Sequence, residues 1–245
     1  FRQNDVLLIF LKADWNMIKV VSFDVGHTLI KYNNPLSWTS LYRPALCEAA
    51  AKCNIVLADG MMDVAAEILT KYNTRVNYRE TEITSDIIFK EIMSAWDCLN
   101  ADLHAMKSAF YSFFQADAHP FPEVIETLKG LKSKGIKTGI LTDVAYGMDN
   151  EFSLKDFAML TAYIDLILTS VDVGYRKPCK EGFLKTAECF NILPNEMIYV
   201  GDEEKDIVGA NSVGAVSVLI NRSNAVKTFN QNYTIDSLDK LCGII

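Results

Sequence analysis

The stretch VVSFDVGHTLI, residues 20–30, runs four apolar or small residues into Asp24 and then into a turn holding Val25, Gly26, His27 and Thr28. With Ile18 and Lys19 before it, the run IKVVSF is β-branched and lacks polar alternation. Such a run reads as a strand buried on both faces. An acid at the carboxyl end of a buried strand stands where open α/β sheets bind ligands. The turn lacks one thing: a second carboxylate two residues after Asp24, where the chain has Gly26.

Outward from this strand the pattern changes twice. Residues 34–118 have helical periodicity. TSLYRPALCEAAAKC, MMDVAAEILTKY, EITSDIIFKEIMSAW and DLHAMKSAFYSFF each place apolar residues at helical spacing. In the third, Ile83, Ile87 and Trp96 fall near one face, with Ile88 and Ile92 beside them. In the fourth, Leu103, Met106, Phe110 and Phe113 do. Four such helices suffice for a small bundle with its own core. From Pro120 onward strand and helix alternate: helix PEVIETLKGLKSKG, strand IKTGILT, helix EFSLKDFAMLTAY, strand IDLILTS, helix CKEGFLKTAECFN, strand EMIYVGD, helix DIVGANSVG and strand AVSVLI. Alternation of this kind means a parallel sheet with right-handed crossovers. The fold class is therefore α/β, a doubly wound parallel sheet with an inserted all-helical unit. The predicted division is an N-terminal extension over 1–17, a core made of 18–33 and 119–245, and an insertion over 34–118. Turn-rich segments, KYNNP and QADAHPFP, mark its borders.

Composition narrows the function classes. Of 245 residues, half are hydrophobic, enough for a sizeable core. The net charge is −7, from 24 basic and 31 acidic residues. With no basic run, nucleic acid and anionic membrane are not expected partners. The apolar run VLLIFL, residues 6–11, is too short to span a bilayer, and no small-residue cleavage site follows it. The cysteines at 47, 53, 98, 179, 189 and 242 form no C-x-x-C pair and read as reduced, partly buried thiols of a cytoplasmic protein. A monomer or homodimer acting on a small molecule is the expectation.

Four strand ends carry the chemistry. They offer Asp24, then Thr142 with Asp143, then Arg176 and Lys177 in SVDVGYRKP, and last Asp202 with Asp206 four residues on. A helical turn after Asp202 brings Asp206 back to the same crevice. Two unit charges about 4 Å apart repel by roughly 4 kcal/mol at an effective dielectric of 20. A hard cation such as Mg²⁺ removes that repulsion and accepts phosphate oxygens. Lys177 offsets an anion from another side, Thr142 donates to it, and the backbone N–H groups after Asp24 form an anion cradle. The set suits phosphoryl transfer with Asp24 as nucleophile.

These segments resemble the four motifs of the haloacid dehalogenase-like (HAD) superfamily. FDVGHTL resembles the first, ILTD the second, YRKP the third and YVGDEEKDIVGA the fourth, in order over residues 18 to about 221. The insertion is similar to the helical cap of many members, and the core to their Rossmann-like domain. The resemblance implies an Mg²⁺-dependent phosphatase working through an aspartyl-phosphate on a small phosphorylated metabolite. It makes Asp24 nucleophile and metal ligand, with the Gly26 carbonyl, Asp202 and Asp206 completing the metal site. Thr142 and Lys177 hold the phosphoryl group, Thr28, Asp143, Val25 and Gly26 lie against the substrate, and Thr28 also supports the turn.

The departure is again Gly26. Family phosphatases have an Asp there that protonates the leaving oxygen, so slow turnover is implied. General acid–base help is worth about 10²–10⁴ in rate. His27 could replace it, but His is also among the residues that tolerate positive φ, at a position where the family usually has Gly. Asp143 is another candidate acid, although its neighbours favour a supporting or backbone-donor role. Asp172 is placed to orient Lys177. Tyr32, Trp38 and Tyr42 are candidates to face substrate, and AFYSFF reads as core of the insertion. Members lacking the second Asp include phosphonate-cleaving enzymes with a cap lysine, for which Lys52, Lys71 and Lys90 are available. A phosphometabolite-binding protein without turnover is a further alternative.

Overall fold

The computed structural model describes residues 18–33, 37–115, 118–223 and 225–245, so the expected extension over 1–17 lies outside the described residues. In chain order the elements are β1 (Val20–Phe23), β2 (Ile30–Lys31), α1 (Tyr42–Lys52), α2 (Met61–Tyr72), α3 (Ser85–Ala95), α4 (Leu103–Gln115) and β3 (His119–Pro120). Then come α5 (Val124–Ser133), β4 (Lys137–Thr142), α6 (Asn150–Ser153), β5 (Leu166–Thr169), α7 (Ser170–Val173) and α8 (Lys180–Phe190). The last are β6 (Met197–Gly201), α9 (Glu204–Ser212), β7 (Val216–Ile220) and β8 (Tyr233–Ile235).

Six strands form one sheet in the order β5-β4-β1-β6-β7-β8, and every pairing in it is parallel. All four residues of β1 are buried, because the strand is covered on both faces and flanked by β4 and β6. The chain leaves β1 in opposite directions toward those two neighbours, so the sheet switches topology at the carboxyl end of β1. Phe23 pairs with Ile140 on one side and Val200 on the other. Asp24, Thr142 and Asp202 therefore emerge at one edge, within a residue of the same level. The edge strand β8 contributes three residues, of which Ile235 is buried. Sequence pattern alone misses it, since so short an edge strand has little apolar signal.

The helical unit packs as the periodicity implies. Leu46, Leu69, Ile88, Phe89, Ile92, Met106, Phe110 and Tyr111 belong to one buried cluster, and AFYSFF supplies its centre. Full burial of one such side chain is worth roughly 1.5–3 kcal/mol. Two details differ from the sequence reading. Ile87 is exposed, while Ile88 and Ile92 carry the α3 contact. In addition, Val144, Tyr146, Met148 and Phe152, from the segment after β4, complete this cluster. The stretch read as the helix EFSLKDFAMLTAY is α6 followed by a 3-10 segment, Leu154–Tyr163, broken at Phe157 (φ −128°). All six cysteines are free, and Cys47, Cys189 and Cys242 are exposed rather than partly buried.

The unit is tied to the sheet domain beside the third strand end. Arg176 N–H donates to the Glu80 carbonyl at 2.7 Å, and Glu82 N–H to that of Gly174 at 2.9 Å. The Glu82 carboxylate, 2 % exposed, pairs with the Arg176 guanidinium and accepts from the Ser170 hydroxyl at 2.6 Å. The antiparallel pair β2–β3 joins the two ends of the insertion. Among the described residues no helix is long and apolar enough to cross a membrane.

Candidate active site

Asp24 follows β1 directly, its N–H donating to the Val200 carbonyl at 2.9 Å. Its carboxylate Oδ1 accepts from the Thr142 hydroxyl at 2.9 Å and from Lys177 Nζ at 2.6 Å. Lys177 is buried. Burial opposes its charge, but the Asp206 and Asp24 carboxylates outweigh that and hold the ammonium well above its usual range. Its Nζ also donates to the Tyr199 hydroxyl at 3.0 Å, which in turn donates to the Leu141 carbonyl at 2.6 Å. Tyr199 is thus a clamp on Lys177 that sequence reasoning missed. Its one signal was a hydroxyl-bearing residue inside the otherwise apolar strand MIYVG.

Asp24, Asp202 and Asp206 bring carboxylate oxygens within 4.8 Å of one another. Asp206 is the third residue of α9, and its Oδ2 accepts the Glu203 N–H at 3.0 Å. That capping contact turns the side chain back toward Asp202, as the spacing predicts. Gly201 makes room for it: a Cβ there would stand 2.3 Å from Asp206 Cγ. Burial, then the charges of Asp24, Asp206 and Glu203, push the Asp202 carboxyl up to about 8. Burial likewise raises Asp206, against the pull of Lys177. Crowded oxygen ligands that resist ionisation fit a hard divalent cation, whose charge would relieve both effects.

Around Gly26 the turn closes through His27 N–H to the Ile30 carbonyl, 2.8 Å, and through Leu29 and Ile30 N–H to the Val25 carbonyl, each 2.9 Å. The backbone N–H groups of Val25 and Gly26 make no hydrogen bond among the described residues, which suits an anion cradle. His27 has φ 53°, the left-handed conformation that His tolerates. Thr28, expected against the substrate, is fully buried, and its hydroxyl has no hydrogen bond among the described residues.

Asp143 is spent on structure. Its Oδ1 accepts the Lys177 N–H at 3.0 Å and its Oδ2 the Lys205 ammonium at 3.0 Å. Burial would raise its carboxyl, but Lys205, Arg176 and Lys177 hold it down to about 2, which unfits it as an acid. Asp172 does not orient Lys177. It caps α7, accepting from Thr169 N–H at 2.8 Å, and receives the Asn150 amide at 2.8 Å.

A cavity of about 550 Å³ lies between the strand ends and the helical unit. Val25, Gly26, Thr142, Asp143 and Lys177 border it, as do Tyr32 and Trp38. Tyr42 instead is buried in the helical cluster, its hydroxyl bonded to those of Tyr146 and to Asn73 Nδ2. Lys52, Lys71 and Lys90 do not border the cavity; Lys71 pairs with Glu91 and Lys90 with Asp86 on the outer surface. Unforeseen at the wall are Arg75, paired with Glu203 at 2.9 Å, and Asp156, which accepts from the Tyr32 hydroxyl at 2.9 Å.

Known proteins similar to this chain point to one family. A family model described as "Haloacid dehalogenase-like hydrolase" matches residues 57–220. The ribulose-1,5-bisphosphate 5-phosphatase of Halopiger xanaduensis is 28% identical over 155 residues, covering 59% of this chain and 64% of the relative. Pyrophosphatase PpaX of Bacillus cereus is 31% identical over 144 residues, covering 55% and 66%. The matches thus span just under two thirds of those relatives' length. The structure of a HAD phosphatase from Thermococcus onnurineus is similar with a TM-score of 0.64 at 27% identity, covering 93% of this chain and 97% of that one. A 2-haloacid dehalogenase from Pseudomonas syringae shares the fold at TM-score 0.66 and 20% identity, with the same coverage. With a family match over most of its length and a six-stranded parallel sheet that brings the four strand ends to one crevice, the chain belongs to the haloacid dehalogenase-like hydrolases.

Proposed function

We propose that the protein is a Mg²⁺-dependent phosphohydrolase acting on a small phosphorylated molecule through an aspartyl-phosphate on Asp24. The observation that supports this most is the convergence of Thr142 and Lys177 on Asp24 Oδ1, beside two further acids. Asp24 supplies the attacking oxygen. Thr142 and Lys177 orient it and then donate to the phosphoryl oxygens, with the Val25 and Gly26 N–H groups on the other side. Preorganised donors of this kind supply most of the stabilisation in phosphoryl transfer. Asp24, Asp202 and Asp206 would hold the cation, which when bound draws charge from the phosphoryl group. The names of the matched relatives, a bisphosphate phosphatase and a pyrophosphatase, support the same chemistry. Six unpaired cysteines support a reducing, cytoplasmic setting.

The test is phosphate release from acetyl phosphate, p-nitrophenyl phosphate and an alkyl phosphate, with Mg²⁺ and with chelator. Release should require the metal, vanish in Asp24→Asn, and be faster for the activated substrates. No release from any of the three at high enzyme concentration overturns the reading.

A further inference from the structure

The space beside Gly26 is bordered by a hydroxyl already coupled to an acid. A Cβ at position 26 would meet one side chain within 4 Å, Tyr32, whose Cε2 lies 3.8 Å away. The phenol oxygen is carried on the ring carbon next to that atom. Burial, then the nearby charges of Asp156 and Asp24, push the Tyr32 hydroxyl well above its ordinary range, so it can pass on its proton only as another reaches it. Its hydroxyl donates to Asp156 Oδ2 at 2.9 Å, across 124 residues of sequence. Both residues border the catalytic cavity.

Asp156 is a largely buried carboxyl at the cavity wall. It has no ion-pair partner among the described residues. Its Oδ1 is buried and accepts no hydrogen bond. Nearby Lys155 turns to the Phe152 ring, 5.0 Å from its centre. The polar groups that face the carboxyl are the Tyr32 hydroxyl and the Gln115 amide, and His27 and Asp24 lie beyond Tyr32. Burial outweighs both direct partners and pushes the carboxyl up to about 6.

We propose that Tyr32 and Asp156 together replace the acid absent at position 26, Tyr32 as the group that meets the leaving oxygen and Asp156 as the positioning residue and proton store behind it. The inference rests on the phosphohydrolase reading. As Asp24 bonds to phosphorus, the bond from phosphorus to the leaving oxygen breaks, with its electron pair on that oxygen. With Asp156 neutral, its carboxyl O–H donates to the Tyr32 oxygen across the same 2.9 Å contact and frees the phenol proton; Tyr32 gives that proton to the leaving oxygen and takes the proton of Asp156. The leaving group departs as an alcohol, and Asp156 remains as carboxylate. In the second half a water oxygen bonds to phosphorus and the Asp24–phosphorus bond breaks, its electron pair returning to Asp24. The water proton passes through Tyr32 to Asp156, restoring the starting state.

The experiment compares kcat/KM of wild type, Tyr32→Phe and Asp156→Asn on an alkyl phosphate and on acetyl phosphate, from acid to alkaline pH. Both variants should lose about 10²-fold on the alkyl substrate, the low end of general acid catalysis. On acetyl phosphate, whose leaving group needs no proton in the first half, the loss in kcat/KM should be far smaller. The wild-type alkyl rate should fall as pH rises past about 6, where Asp156 loses its proton, and this limb should be absent in both variants. Tyr32→Phe keeps the ring and tests the idea even if Asp156→Asn folds poorly. Equal losses on both substrates, no loss on the alkyl one, or a pH limb that survives in the variants overturns the dyad alone. No release by wild type from either substrate overturns the phosphohydrolase reading and the dyad with it.

Discussion

The ammonium of Lys177 lies 2.6 Å from the Asp206 carboxylate, with both side chains almost wholly buried. The same nitrogen holds Asp24, so one cation balances two of the three clustered acids.

Removing that cation tests the balance. Breaking a buried ion pair from one side typically costs 3–5 kcal/mol, so about that loss is expected for Lys177→Met without metal. Added Mg²⁺ should raise the melting temperature of the variant more than that of wild type, since it replaces the lost positive charge. Turnover should still fall by about 10²–10³, because a donor to the phosphoryl group is gone. Thermal melts with Mg²⁺ and with chelator, paired with phosphate release, check both parts. An equal Mg²⁺ effect in the two proteins would speak against a shared charge site.

Asp143 makes an acid-side prediction. Its carboxyl sits at about 2 in the folded protein, below the 3.8 of an unperturbed group. A depressed native value means that the unfolded chain binds the proton first, so stability is present above about 4 and is lost as pH falls toward 2. The gap corresponds to about 2 kcal/mol. In Asp143→Asn that part of the acid-side slope should vanish, whatever the variant's stability at neutral pH. Denaturant melts across the acid range would read it.

The Gly201–Asp206 contact leads to a third expectation. A methyl at position 201 would stand 2.3 Å from Asp206 Cγ, with no way to avoid the carboxylate where it now lies. Overpacking of this order costs about 1–3 kcal/mol. The Gly201→Ala chain should still fold, with Asp206 displaced from the acid cluster. Mg²⁺ should then no longer raise its melting temperature, as measured by calorimetry with and without the ion. A full Mg²⁺ response would show that Asp206 is dispensable for the metal.

Legibility followed the range of the forces that place each residue. Asp24, Thr142 and Asp202 end buried strands, and Asp206 follows by one helical turn, so local patterns were enough to group them. Lys177 was legible from the YRKP segment, although it lies beyond α7 and not directly at the end of β5. The partners that hold these groups were not. Tyr199 reads as one more core residue of β6, and its role appears only when Leu141 and Lys177 are beside it. Glu82 and Arg176 are 94 residues apart, and nothing local joins them. Asp156 lies in a stretch that resembles the polar face of an ordinary helix, until the break at Phe157 turns the chain and Tyr32 meets it from across the fold.

Restoring the family acid tests how that pair relates to position 26. The backbone of Gly26 is not left-handed, and a Cβ there meets only Tyr32, at an ordinary contact distance. Gly26→Asp should therefore fold, and it should speed alkyl phosphate hydrolysis. If Tyr32 and Asp156 already deliver a proton to that spot, the gain in wild type will be modest. In a Tyr32→Phe background the same change should recover most of the lost rate, up to about 10²-fold, since the new carboxyl then acts alone. Residues serving one proton transfer are not additive, and the four proteins form a cycle that measures the coupling. Equal gains in both backgrounds would mean that Tyr32 and an acid at position 26 act independently, and the rate-limiting proton in the natural protein would have to come from elsewhere.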